Sequence, residues 1–183
     1  FWSYETVIPH GGELALIGEE GGRTVVVGNG QSAPFTMGLP VSSTGLDNQF
    51  VGLHPFGVHG GGHPEGHPGL DVEYAVGEKV LAGVSGPIIV IRPNDAHPGT
   101  WSVVQEARPG FKVIYDEVTN MPPSIVVGAV LAEGDVVGDP WDLVTYYQIH
   151  LGLMVLGDFL CPTDYLHATA QAQLDAFWPK SYY

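Results

Sequence analysis

Eight histidines stand in the chain, and five of them, His54, His59, His63, His67 and His97, fall between positions 54 and 97. An imidazole titrates near neutrality, so it serves as an acid–base group or as a metal ligand. The pair with a defined spacing is His67 and Asp71, inside Gly66-His67-Pro68-Gly69-Leu70-Asp71-Val72. Along an extended segment side chains alternate, so residues four apart share a face. An imidazole nitrogen and a carboxylate oxygen on one face both suit zinc. Eight His and ten Asp in 183 residues give roughly 0.4 such pairs by chance, so the pattern needs its context. Just upstream, His54-Pro55-Phe56-Gly57-Val58-His59-Gly60-Gly61-Gly62-His63 has no apolar period and reads as a loop. It is either a solvated loop or the route by which His59 or His63 brings a further imidazole to the site, as acid–base group or ligand.

The elements that must position these residues are strands. Glycine (26) and proline (15) are abundant, which favours many turns and short strands. Glu13–Ile17 and Arg23–Val27 flank a Gly-rich turn and predict a hairpin. Leu70–Tyr74 alternates; Glu78–Ala82 follows; Ile88–Ile91 is a β-branched run suited to a buried strand. Ser102–Gln105 and Phe111–Tyr115 flank Pro109-Gly110, a second hairpin. Ser124–Val130 and Asp135–Val137 continue the β pattern, and Thr145–Val155 is a long alternating strand. On that strand Tyr146, Gln148 and His150 share a face, where Tyr146 either binds substrate, donates a proton or simply packs. Pro162-Thr163-Asp164 then caps a helix from Tyr165 to Trp178, with Leu166, Ala170, Leu174, Phe177 and Trp178 inward and Pro179 as its stop. The residues thus predict an all-β, mostly antiparallel core with one terminal helix.

Composition limits the function. Twenty acidic residues against six basic ones give a formal charge of −14, yet charged residues are only 14% of the chain and hydrophobic ones 44%. Six scattered cations cannot neutralise a run of phosphates, so nucleic acid is excluded as a partner and an anionic membrane surface is disfavoured. No window approaches 18 apolar residues, so no membrane insertion is expected. One cysteine, Cys161, excludes an intrachain disulfide and a Cys-based zinc cluster. The first residues, Phe1-Trp2-Ser3-Tyr4, lack the pattern of a signal peptide.

The context of His67 and Asp71 carries a family resemblance. His67-x-Gly69-Leu70-Asp71-Val72 is followed by Val76-Gly77-Glu78-Lys79-Val80-Leu81-Ala82, then by Gly83-x-x-Gly86-x-Ile88. Further on stand Gly134-Asp135-Val136-Val137-Gly138, Gln148-Ile149-His150-Leu151, and Val155-Leu156-Gly157-Asp158 running to Pro162. Over roughly residues 63–166 this resembles the zinc-dependent peptidases of the lysostaphin and LytM type, the M23 family. The resemblance implies a two-layer antiparallel β-sandwich or open barrel with the helix at its C-terminus. It implies zinc held by His67, Asp71 and His150, an open His₂Asp site of the catalytic kind, where the metal acidifies a water and polarises a carbonyl. Two family histidines are replaced. Gln148 stands at the first position of His-x-His, and Glu117, in Tyr115-Asp116-Glu117, stands at the other. Glutamine donates a hydrogen bond but takes no proton, whereas glutamate serves as a general base at a suitable pKa.

The expectation is one domain: a β-rich extension over 1–50, a metal-binding core over 51–162 and a helix over 163–179. The leading function is a secreted or periplasmic zinc hydrolase, its signal peptide removed, cleaving a peptide or amide bond in an extracellular polymer such as a peptidoglycan peptide. The alternatives are a metal-dependent lyase or hydrolase acting on a polysaccharide through Tyr146 or a loop histidine, and an inactive metal-binding module. The oligomeric state is left open. His10, His97 and His167 read as ordinary surface or core histidines.

Overall fold

The computed structural model describes residues 4–10, 13–20, 23–27, 35–41, 50–59, 63–74 and 78–177. The chain divides into two compact units, Phe1–Phe35 and Thr36–Tyr183. The first holds an antiparallel sheet of β1 (Tyr4–His10), β2 (Glu13–Glu20) and β3 (Arg23–Val27), in the order β1-β2-β3. The expected hairpin is present there, with Glu20 paired to Arg23.

The second unit is built on a nine-stranded sheet. Its strands are β4 (Phe50–His54), β5 (Gly69–Tyr74), β7 (Gly86–Pro93), β8 (Trp101–Arg108), β9 (Phe111–Val118), β10 (Val130–Leu131), β12 (Trp141–Asp142), β13 (Tyr147–Val155) and β14 (Asp158–Leu160). The main path runs β10-β7-β8-β9-β13-β5-β4, with β12 and β14 each paired to β13. The strand pairings within this sheet are antiparallel. A separate ribbon pairs β6 (Val80–Leu81) with β11 (Val136–Gly138). The mainly β, antiparallel architecture with one C-terminal helix is as expected.

One face of the central strands is core. Leu53, Leu70, Val72, Val113, Tyr115, Ile149, Leu151 and Leu153 are all but inaccessible. Removing any of these large aliphatic side chains is expected to cost about 2–5 kcal/mol. Tyr115 carries a hydroxyl into that core and satisfies it twice. It accepts from Gly83 N at 2.7 Å and donates to Gln105 Oε1 at 3.0 Å. Gln105 Nε2 in turn donates to Val84 O and Gly86 O. The Gly83–Gly86 turn is thereby tied to the β8–β9 hairpin.

Three local expectations differ from the structure. Ile88–Ile91 lies in β7, beside the two-residue edge strand β10; only Ile88 is buried and Val90 is exposed. Ser124–Val130 is mostly turn, and Val126, Val127 and Val130 are exposed. The C-terminal segment is split. Pro162–Tyr165 forms a single 3-10 turn, Leu166 is extended and bridges Met37, and α1 (Ala168–Phe177) begins only afterwards. The pairing of Leu166 with Met37 outcompetes a continuous helix. His167 takes over as the cap, its Nδ1 accepting from Ala170 N at 3.1 Å. Ala170 and Leu174 are buried as expected, while the side chain of Phe177, Trp178 and Pro179 lie outside the described residues.

Candidate metal centre

The site is a row of side chains across four neighbouring strands. His54 on β4 pairs with Asp71 on β5, Asp71 with His150 on β13, and His150 with Asp116 on β9. Directly opposed residues project to the same face, here the face away from the core. Glu73 and Gln148 form the next row. On the other side Gly69 faces Gly152. Gly69 is what admits the His150 ring: a Cβ there would overlap both the ring and the Leu151 carbonyl.

Three donor atoms converge. His150 Nδ1 lies 2.7 Å from Asp71 Oδ1, His67 Nε2 lies 3.2 Å from the same oxygen, and the two nitrogens are 3.1 Å apart. Ligands about 2.0–2.1 Å from a tetrahedral zinc stand about 3.3 Å from one another, so these edges are of the right size. The tautomer supports the fit. Pro55 O, 3.2 Å from His67 Nδ1, only accepts, so Nδ1 carries the hydrogen and Nε2 presents a lone pair to the carboxylate. Either a proton on His150 Nδ1 or a metal ion among the three atoms satisfies these contacts. The electrostatics agree. Burial alone would raise the Asp71 pKa, but His150 and His67 beside it hold it well below the usual carboxylate range. Burial alone would lower His150; Asp71 reverses this and raises it.

His54 also reaches this centre. Its donor atom lies within 4.8 Å of those of His67 and Asp71. Its ring is stacked on His67, however, with centroids 4.3 Å apart and planes 5° from parallel. In-plane lone pairs of parallel rings do not meet, so His54 is better suited to hold the other Asp71 oxygen, Oδ2, 3.5 Å from its Nδ1.

A second cluster adjoins the first. In β8–β9 the register moves two residues on β8 against three on β9 between Trp101–Val118 and Val103–Tyr115. This is a bulge, and within it Glu117 has φ 70. Strict alternation would put Glu117 on the core face with Tyr115; the bulge turns it toward the site. Gln148 Nε2 donates to both Glu117 oxygens, at 3.0 and 2.9 Å. Burial, aided by the Asp71 charge, pushes the Glu117 carboxyl up to about 7. His97 Nε2 lies 3.2 Å from Glu117 Oε1, and its ring packs on Trp141 at 4.5 Å.

Of the remaining residues singled out in the sequence, His63 lies beside the centre, its ring 5.0 Å from that of His67. His59 is exposed, with Nδ1 near Pro64 O. Tyr146 is half-buried just before β13, its carbonyl accepting from Leu143 N. Sequence reading passed over His97 and Glu73. Glu73 had a local signal, since it follows Asp71 by two along an alternating strand. His97 had none, because no local pattern announces the bulge in β9 that turns Glu117 toward it.

No protein-family model matches the chain, and no curated protein matches it. Solved structures do. A chain of the SpoIIQ–SpoIIIAH pore-forming complex is 13% identical, with 78% of this chain and 98% of that one covered and a TM-score of 0.57. The catalytic domain of the antimicrobial peptidase lysostaphin from Staphylococcus simulans is 20% identical, with coverage of 68% and 96% and a TM-score of 0.55. A zinc-containing peptidase from Vibrio cholerae is 20% identical over 83% of this chain, with a TM-score of 0.51; the match spans 47% of that peptidase. These likenesses define the fold as that of LytM-type domains, which occurs both in peptidases and in a pore-forming complex.

Proposed function

We propose that the chain is a zinc-dependent hydrolase of peptide or amide bonds that works outside the cytoplasm on a polymer such as the peptide of peptidoglycan. The observation that carries this reading is the triangle of His67 Nε2, Asp71 Oδ1 and His150 Nδ1, with edges of 2.7–3.2 Å. These three atoms would hold the metal and leave a coordination position for substrate chemistry. Zinc there would acidify a water molecule and polarise the scissile carbonyl. His54 and Pro55 fix the orientation of Asp71 and His67. Glu117, buried and poised near neutrality, stores a proton, and Gln148 holds its carboxylate in place. His63 borders the centre as a further imidazole.

The test is metal analysis of purified protein, followed by hydrolysis assays on peptidoglycan and on uronate polysaccharides. Near-stoichiometric zinc and new amine ends from peptidoglycan are expected. His150→Ala should lose zinc and activity together, and full activity in that variant would break the ligand assignment. An unsaturated uronate product instead would point to lyase chemistry.

A second reading is a metal-binding module that docks a partner protein. Its support is the likeness to a chain whose structure is a pore-forming complex, together with Gln148, which takes no proton. Zinc binding without cleavage of any peptide substrate would favour it.

A further inference from the structure

Glu117 is badly placed to meet a substrate itself. Its side chain is 4% exposed, against 39% for His97, and both its oxygens are engaged by Gln148. Whatever proton Glu117 governs must travel through a neighbour, and the exposed neighbour is His97.

His97 sits in a loop held by several hydrogen bonds. Its backbone N–H and that of Ala96 donate to Asn94 Oδ1, at 3.3 and 3.0 Å. Its carbonyl accepts from the Thr100 hydroxyl at 2.8 Å and from Thr100 N at 3.1 Å. Thr100 is buried, so the loop between β7 and β8 is anchored on both sides of the imidazole. The ring then lies on Trp141, which pairs across β12 and β13 with Gln148. Its charge is also felt by His63, the imidazole beside His67. His97 therefore borders the face that carries the metal donors.

We propose that His97 is the group that exchanges protons with substrate at this centre, and that Glu117 is its positioning residue. This rests on the hydrolase reading above. A buried carboxylate oxygen 3.2 Å from Nε2 favours the Nε2–H tautomer and leaves the lone pair on Nδ1, which is the logic of a carboxylate-held catalytic imidazole. Nδ1 takes a proton from the attacking water as its oxygen bonds to the carbonyl carbon. It returns that proton to the leaving nitrogen as the carbon–nitrogen bond breaks, so one water is added and His97 ends neutral. The imidazole thus supplies what the glutamine at position 148 cannot.

The test uses the zinc-loaded full chain. His97→Gln keeps an N–H that reaches Glu117 but has no titrating nitrogen. It should lower kcat about 10²–10⁴-fold with zinc content and KM unchanged. In nitrogen-detected NMR of the wild type, His97 should be the Nε2–H tautomer, and Glu117→Gln should abolish that preference. Wild-type hydrolysis undiminished in His97→Gln, or an Nδ1–H tautomer in the wild type, overturns this assignment while leaving the hydrolase reading standing. A zinc-loaded wild type that cleaves no peptide or amide overturns both.

Discussion

Glu117 is a carboxylate held where carboxylates are costly, and its cost has a pH signature. Burial raises it from an ordinary 4.5 to about 7. A group that binds its proton more tightly when folded stabilises the fold fully below its unfolded pKa, and that stabilisation is lost as pH rises through the folded value. The window is therefore about pH 4.5 to about 7. Metal-free Glu117→Gln, measured by urea unfolding at pH 5 and pH 8, should lack this slope and gain on the wild type by about 1–3 kcal/mol across it. Parallel stability curves would show that Glu117 is already ionised throughout. His54 makes a different prediction. Because its ring is parallel to His67, it is better suited to supporting the proposed ligands than to joining them. His54→Gln should weaken zinc about 10–100-fold by chelator competition, whereas total loss would make it a ligand. His67 and Asp71 carry a local spacing and Gln148 a family pattern; the pairing of His97 with Glu117 carries neither, since a bulge creates it.

At the level of elements, the site depends on side chains that are missing. Gly69 faces Gly152 across β5 and β13, and its missing Cβ leaves the space that the His150 ring fills. Gly69→Ala should cost about 1–3 kcal/mol by overpacking and displace His150, so calorimetry should show a lower Tm and weak zinc binding together. A stable variant with native zinc affinity would mean that the sheet yields at this point. The glycine was visible in the sequence as part of His-x-Gly-x-Asp, but the reason for it was not, because its neighbour comes from β13. The strands β5, β8, β9 and β13 were legible because alternation and turn residues agree there. Ile88–Ile91 misled because a β-branched run looks the same on an edge as in a core. The terminal helix misled because Leu166 finds a partner in Met37 that no local pattern announces.

The whole molecule carries a charge of −14. Such a field slows the approach of a polyanion and does so less as salt shortens its reach, from about 30 Å at 0.01 M to about 8 Å at 0.15 M. Initial rates on an anionic cell-wall polymer should therefore rise over that range of salt, while rates on a neutral peptide stay level; equal responses would mean that the field does not reach the site. No helix among the described residues is long and apolar enough to cross a membrane. The ladder position of His150 has a consequence in time. It lies 83 residues beyond His67, on a strand that must slot between β5 and β9. Chains emerge and fold from the N-terminus onward, so the first two donors exist long before the third can join them. The triangle closes only when β13 is inserted. A chain still being synthesised cannot assemble it, so under the proposed hydrolase function cleavage would wait until β13 is in place.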